Sequence, residues 1–222
     1  RADIGFVKRH LEGGQIGFPQ ICVACMIVIA VARRFRPGMD GIMLYRRDGF
    51  EILVVIALDA DTPAADVILA AIWDVLALRG IEPDDVLVLQ PRGSQPGTPV
   101  DPREGLPEDV AERITWQVHD PDEAEGGQYL ATSSSGERVY LAGELIKADL
   151  VIPVGPVAFD SVLGYRGTHS VLYPGLSNTE SITRALGEGH RELEPADQRP
   201  IRQLIDDVGW LLGVQFCVQV VP

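Results

Sequence analysis

Three stretches of the chain concentrate side chains able to do chemistry. The first is Asp59-Ala60-Asp61-Thr62-Pro63, with two carboxylates and a hydroxyl within four residues. Asp59 and Asp61 are of the type that holds a metal or a ribose hydroxyl, while Asp61 or Thr62 also suits the cap of a following helix. The second runs from Asp160 through Arg166 and His169 in a glycine-rich loop. An arginine there can clamp a carboxylate through two hydrogen bonds. A histidine titrates near neutrality, and a carboxyl such as Asp160 serves as a base where its pocket raises its pKa. The plainer reading of Arg166 is a solvated surface arginine, and of His169 an exposed loop residue. The third stretch, His119-Asp120-Pro121-Asp122-Glu123, has metal-ligand residue types, although a turn on an acidic surface is the plainer reading. Cys22 and Cys25 form a C-x-x-C with no second pair, inside an apolar run. That context reads as buried structural thiols. His10 and His190 lie in polar surroundings and receive no role. The chain has no G-x-x-x-x-G-K-[ST], no G-x-G-x-x-G at a strand end and no G-x-S-x-G. ATPase, classical dinucleotide-dependent and serine-hydrolase readings therefore lack support.

The composition narrows the partners. With 222 residues and 46% hydrophobic content, the chain can bury a sizeable core. A net charge of -13 repels phosphate backbones, so nucleic acid is not an expected partner. A local basic pocket still admits a small organic anion. Three cysteines make no disulfide framework and suit a reducing compartment. The apolar run Ile21–Ala32 is too short to span a bilayer and reads as a buried strand. No membrane association and a cytoplasmic location are the resulting expectations.

The elements that must position these residues follow from periodicity. Residues 1–50 read as an amino-terminal arm with one or two strands packing on a domain of residues 51–222. Ile52–Ala57 is a continuous apolar strand, as in a parallel sheet covered on both faces. A helix follows, with Val67, Ile68, Ala71, Ile72, Val75 and Leu76 at helical spacing and Gly80 at its end. Val86–Leu89 is the next strand, completing a βαβ unit. The polar loop Pro91–Pro107 is longer than a mere connector. A short helix Pro107–Ile114 and a strand Thr115–Val118 come next. Tyr129–Thr132 and Arg138–Leu141 form a hairpin around Ser133-Ser134-Ser135-Gly136. Leu150–Val154 is a buried strand whose Pro153 predicts an edge or a bend. Ser177 with Glu180 predicts a capping box opening a helix to about Leu186. Pro200–Leu212 and Val214–Val221 are the last helix and strand. The alternation predicts an α/β fold: a mostly parallel, Rossmann-like sheet with helices on both faces and a small β-hairpin insertion. Ligands in such sheets bind beyond the carboxyl ends of the strands, where the loops after Ala57, Leu89 and Val154 emerge.

Those loops carry a family likeness. Gly164-Tyr165-Arg166-Gly167-Thr168-His169-Ser170-Val171-Leu172-Tyr173-Pro174-Gly175, preceded by Ala148–Gly155, looks like a G-[FY]-S-G-G-x-K-x-x-x-P-G loop and its strand. His119-Asp120, the Thr132…Gly136 turn and the ending Gly213-Val214-Gln215-Phe216 match the same layout. Over roughly residues 50–222 the chain thus resembles the amino-terminal domain of the nickel-pincer lactate racemase family. In that family a second domain closes over the cofactor; here it is expected to be absent, to lie elsewhere in the same protein or to be on a partner chain. The resemblance also implies hydride removal from the α-carbon of a 2-hydroxy acid and its return to either face.

The residues at the family's working positions differ. The lysine that tethers the nickel-pincer nucleotide falls on Ser170, and the histidine ahead of that loop on Asp160. The histidine of a G-x-H motif falls on Gln95, and the nickel-binding histidine on Leu186. In the D-x-T-R motif Asp59 is kept, Asp61 replaces the threonine and Thr62 the arginine. Serine cannot form the thioamide tether, and leucine cannot bind a metal. Each lost acid–base group costs a factor of about 10² or more. Three expectations result. One is a divergent racemase or epimerase of hydroxy acids or sugar acids, using Asp160 and His169 with Arg166. Another is a non-catalytic module binding an organic anion or nucleotide-like ligand among Asp59, Asp61, Thr62, Gln95, Arg166 and Ser170. The last is a structural subunit pairing with a catalytic domain.

Overall fold

The computed structural model describes residues 28–31, 52–92, 99–122, 127–133, 136–160, 163–187 and 200–221. The expected arm, residues 1–50, lies outside them except for strand β1 (Val28–Val31). Strand β2 (Val54–Leu58) is buried along its whole length. Helix α1 (Ala65–Ala77) leads from it to strand β3 (Val86–Gln90). Beyond a 3-10 turn at Pro102–Gly105 come helix α2 (Glu108–Ala111) and strand β4 (Thr115–Val118). Strands β5 (Gln128–Thr132) and β6 (Arg138–Leu141) form the antiparallel hairpin. Helix α3 (Gly143–Lys147) then precedes strand β7 (Leu150–Pro156). Strands β8 (Ala158–Asp160) and β9 (Gly164–Arg166) make a second small hairpin, followed by a 3-10 turn at Thr168–Val171. Helices α4 (Thr179–Gly187) and α5 (Pro200–Leu211) and strand β10 (Phe216–Val220) complete the described chain.

The main sheet has the order β1-β10-β7-β2-β3-β4. Its five strands β10, β7, β2, β3 and β4 run parallel, and β1 closes one edge antiparallel to β10. Side chains alternate across the sheet as the strand period of two requires. Val54, Ile56, Leu58, Val86, Val88, Leu150, Ile152 and Val154 join one core with Ile68, Leu69, Trp73 and Leu76 of α1. Val55, Ala57, Leu87, Leu89 and Val151 join the other with Leu204, Ile205 and Val208 of α5 and Leu145 of α3. Both faces are thus covered, which is why β2, β3 and β7 read as unbroken apolar runs.

Three local expectations are corrected. Neither Asp61 nor Thr62 caps α1: the cap position is Ala64, with φ 51 and ψ 43 and no side-chain hydrogen bond. Asp59 instead draws its loop into a tight turn, accepting from the Asp61 amide at 2.9 Å through Oδ1 and from the Thr62 amide at 3.0 Å through its carbonyl. Ser177 does not form a capping box with Glu180. Its hydroxyl donates to the Pro174 carbonyl at 2.7 Å, and Asn178 accepts from the Ser181 amide at the start of α4. Glu180 turns the other way along α4, to Arg184. Strand β7 lies inside the sheet despite Pro153, since β10 joins it only from Val154 onward. The missing amide therefore interrupts no β10 pairing.

Helix α1 ends as its glycine predicts. The Ile81 amide donates to Leu76 at 3.2 Å and the Gly80 amide to Ala77 at 3.0 Å, the bond pair of a left-handed helix stop. Gly80 has φ +78 with no neighbour within 4 Å of a Cβ placed there, so backbone strain alone would oppose a side chain. Gly80→Ala is expected to lower stability by about 1 kcal/mol. Urea unfolding would show this as a lower midpoint at unchanged slope.

Candidate functional site

From β2 the chain passes first to β3 and β4 on one side, and later to β7 and β10 on the other. The direction of winding therefore reverses between β2 and β7. In open α/β sheets the crevice beyond the carboxyl ends at such a reversal is where ligands bind. Leu58 pairs with Val154 there, and the Asp59 amide donates to the Val154 carbonyl at 2.9 Å. A Cβ on Gly155 would sit 3.4 Å from Asp59 Cβ, so the loop after β2 packs directly on the end of β7.

Thr62, in the turn that follows β2, is unusual. It is only 7% exposed, and its hydroxyl has no hydrogen-bond partner among the described residues. Leaving a buried hydroxyl unpaired costs about 1–3 kcal/mol. Two residues later Ala64 holds a left-handed conformation that an L side chain rarely adopts. The first amides of α1 then emerge without a side-chain cap. Strain, an orphaned hydroxyl and uncapped amides converge on one turn. Gly105 of the neighbouring 3-10 turn packs on the Asp66 backbone, so the loop after β3 closes the flank of this helix end. That loop is held by Arg103, which grips Asp101 through three hydrogen bonds and the Ala111 and Ile114 carbonyls. The Arg103 guanidinium holds the Asp101 carboxyl below the ordinary carboxylate range.

The other expected site residues are dispersed in their contacts. Asp160 Oδ1 accepts from the Leu163 amide at 2.8 Å and so braces the β8–β9 turn. His169 is held against α5: its Nδ1 lies 3.6 Å from Asp206 Oδ1, and its ring occupies the space a Cβ on Gly209 would need, at 2.7 Å. Burial, opposed by Asp206, holds the His169 pKa below the ordinary histidine value. Ser170 is buried, and its hydroxyl donates to the Gly167 carbonyl at 2.6 Å. Arg166 lies on β9 and Leu186 on α4, while Gln95 falls outside the described residues.

Asp120 to Asp122 form the expected surface turn, the Asp122 amide donating to Asp120 Oδ1 at 3.1 Å, but His119 departs from it. The residue is 4% exposed, and its Nε2 lies 2.9 Å from the Ser177 carbonyl, tying the end of β4 to the start of α4. Asp120 next to it pairs with Arg92 at 3.1 Å. Two buried groups were not singled out by residue pattern. Gln90 at the end of β3 accepts from Trp116 Nε1 at 2.7 Å. Tyr173 donates to Glu137 at 3.1 Å. The only sequence signal for the first was a polar residue closing an apolar strand.

The tethered nickel-pincer nucleotide does not fit these residues. Serine at position 170 offers no amine, and its hydroxyl is already engaged inside a turn. Among the described residues no three His, Cys, Asp or Glu side chains stand together as a metal-binding group. No helix among the described residues is long and apolar enough to cross a membrane.

Comparison with known proteins agrees with this geometry at the level of fold. The model of the lactate racemase N-terminal domain matches residues 46–190. The structure is similar to the lactate racemase apoprotein from Thermoanaerobacterium thermosaccharolyticum, with a TM-score of 0.60 and 19% identity over 78% of this chain and 43% of that one. It is also similar to a structural-genomics protein from Thermotoga maritima, with a TM-score of 0.61 and 13% identity over 78% of this chain and 47% of that one. The chain thus spans less than half the length of either protein. No curated protein sequence matches it. With the family match covering most of its length, the chain belongs to the lactate racemase N-terminal domain family.

Proposed function

We propose that this domain binds a small hydroxylated organic anion, of the sugar-acid or nucleotide class, and does not carry out the pincer reaction. The reading rests on the buried, unpartnered Thr62 hydroxyl in the crevice between β2 and β7. An anionic oxygen of the ligand would accept from that hydroxyl and from the uncapped first amides of α1, whose dipole favours negative charge. Asp59 and Asp61 would accept from ligand hydroxyls and disfavour a ligand that is only an anion. The catalytic alternative needs Asp160, His169 and Arg166 to converge. Asp160 is instead committed to the Leu163 amide and His169 to the face of α5. Their described contacts favour structural roles.

Thr62→Val tests the binding reading with two opposite readouts. The free protein is expected to gain about 1 kcal/mol, because an unpaired hydroxyl is replaced by a methyl of similar volume. Thermal shift with lactate, gluconate, galacturonate and adenosine monophosphate is expected to find at least one ligand that raises Tm. That rise should vanish in the variant. No shift with any of the four, or an equal shift in Thr62→Val, would count against the crevice as the binding site.

A structural His169 also predicts a pH signature. Its folded pKa is below the unfolded value of about 6.5, so the unfolded chain takes up a proton that the folded one resists. Its contribution to stability is intact above that value and lost as pH falls through it. Denaturation of the wild type and His169→Gln from about pH 8 to about pH 5.5 should show the wild type losing stability relative to the variant. A constant difference would contradict burial as the dominant influence on this ring.

A further inference from the structure

A second cleft lies between the β5–β6 hairpin and α4, away from the crevice at β2 and β7. It has a volume of about 440 Å³ and is lined by Glu137, Arg138, Tyr140, Glu180, Ser181 and Arg184. Its size falls within the range of small-molecule sites. The floor is a rigid network. Buried Tyr173 donates to Glu137 Oε1 at 3.1 Å, and Arg184 reaches the same oxygen at 2.8 Å. The second arm of Arg184 reaches Glu180 at 2.8 Å, one helical turn earlier. Burial and the Glu137 charge push the Tyr173 pKa far up, so its hydroxyl stays protonated and keeps donating.

The charges of the cleft are balanced but not uniformly paired. Arg184 is engaged by both glutamates. Arg138 is exposed at the start of β6 and makes no ion pair or hydrogen bond among the described residues. Glu137 of the hairpin and Glu180 of α4 therefore share one cation across the cleft, while the Arg138 side chain beside Glu137 has no partner among the described residues. A simple anion would meet Glu137 and Glu180, and a simple cation would meet Arg138. A ligand carrying both charges a few bonds apart satisfies the arginine and the carboxylates together. Tyr140 lies two residues from Arg138 on the same side of β6, and its ring offers an apolar wall for a side chain.

We infer that the cleft between the β5–β6 hairpin and α4 binds a small zwitterion of the free α-amino-acid type. Its carboxylate lies on the Arg138 guanidinium, its ammonium on Glu180 and Glu137, and its side chain along Tyr140. Arg138 and Glu180 set the selectivity, since both are solvent-exposed and neither holds the fold together. The cleft is independent of the Thr62 crevice, so either reading can fail alone.

The experiment is isothermal titration calorimetry of the full chain with glycine, L-alanine, L-leucine and L-phenylalanine. Each is paired with its amide, which lacks the carboxylate charge, and its N-acetyl form, which lacks the ammonium. The expected result is binding of at least one free amino acid, weakened about tenfold or more in both blocked forms. Arg138→Ala and Glu180→Gln should each weaken it similarly, whereas Thr62→Val should leave it unchanged. The inference is overturned if no free amino acid binds. It is equally overturned if the amide or the N-acetyl form binds as well as the parent, or if binding survives both cleft substitutions. Circular dichroism of the two variants, expected to match the wild type, separates loss of a ligand contact from loss of fold.

Discussion

The pairing of β2 with β7 is the constraint on which the rest of the molecule depends. Five residues of each strand pair in register from Val54 with Leu150 to Leu58 with Val154. Every residue of both strands is buried, so the pair cannot slip without turning one core face into the other. Fixing Leu58 against Val154 fixes Asp59 against Gly155, and with it the turn that carries Thr62 and opens α1. The winding reverses at the same pair. A crevice is thus a geometric consequence of the core, whatever side chains later line it.

The same core leaves the residues expected at the family's working positions in local roles. The hydroxyl of Ser170 serves the Gly167 carbonyl inside its own turn, and Asp160 holds the β8–β9 turn closed. Both residues have become parts of local structure. The glycine-rich loop remains anchored by other means. Val171, Leu172 and Tyr173 are buried in the core shared with α5, and His169 seats against the Cα of Gly209. A larger residue at 209 would have no room beside that ring. The turn after β2 keeps a buried hydroxyl and helix amides without a side-chain cap, groups of the type that holds an anion rather than moves a hydride.

Much of the fold was legible because burial on both faces leaves a plain mark. The apolar runs at β2, β3 and β7 and the helical spacing of α1 all correspond to described elements, and Gly80 stops α1 through its positive φ. The failures occurred where a short polar side chain had several possible partners. Ser177 bonds back to Pro174, not forward into α4, and Asn178 takes the capping role. Asp59 satisfies the turn that Asp61 or Thr62 was expected to cap. Local propensity cannot rank such alternatives, because tertiary packing decides which partner lies within reach. His119 shows the same limit: its acidic neighbours suggested a surface turn, but its ring is buried against a carbonyl 58 residues away. The cleft at Arg138 and Arg184 was invisible for a related reason. Its walls come from a hairpin and a helix whose contact no spacing in the chain reveals.

The residues of this member of the lactate racemase N-terminal domain family do not fit the tethered pincer cofactor. Native mass spectrometry with elemental analysis, on protein purified from its own host, tests it most directly. An intact mass equal to the polypeptide and no stoichiometric nickel are expected. Stoichiometric nickel together with a bound mass of nucleotide size would contradict it, and would mean that residues other than Ser170 hold the cofactor.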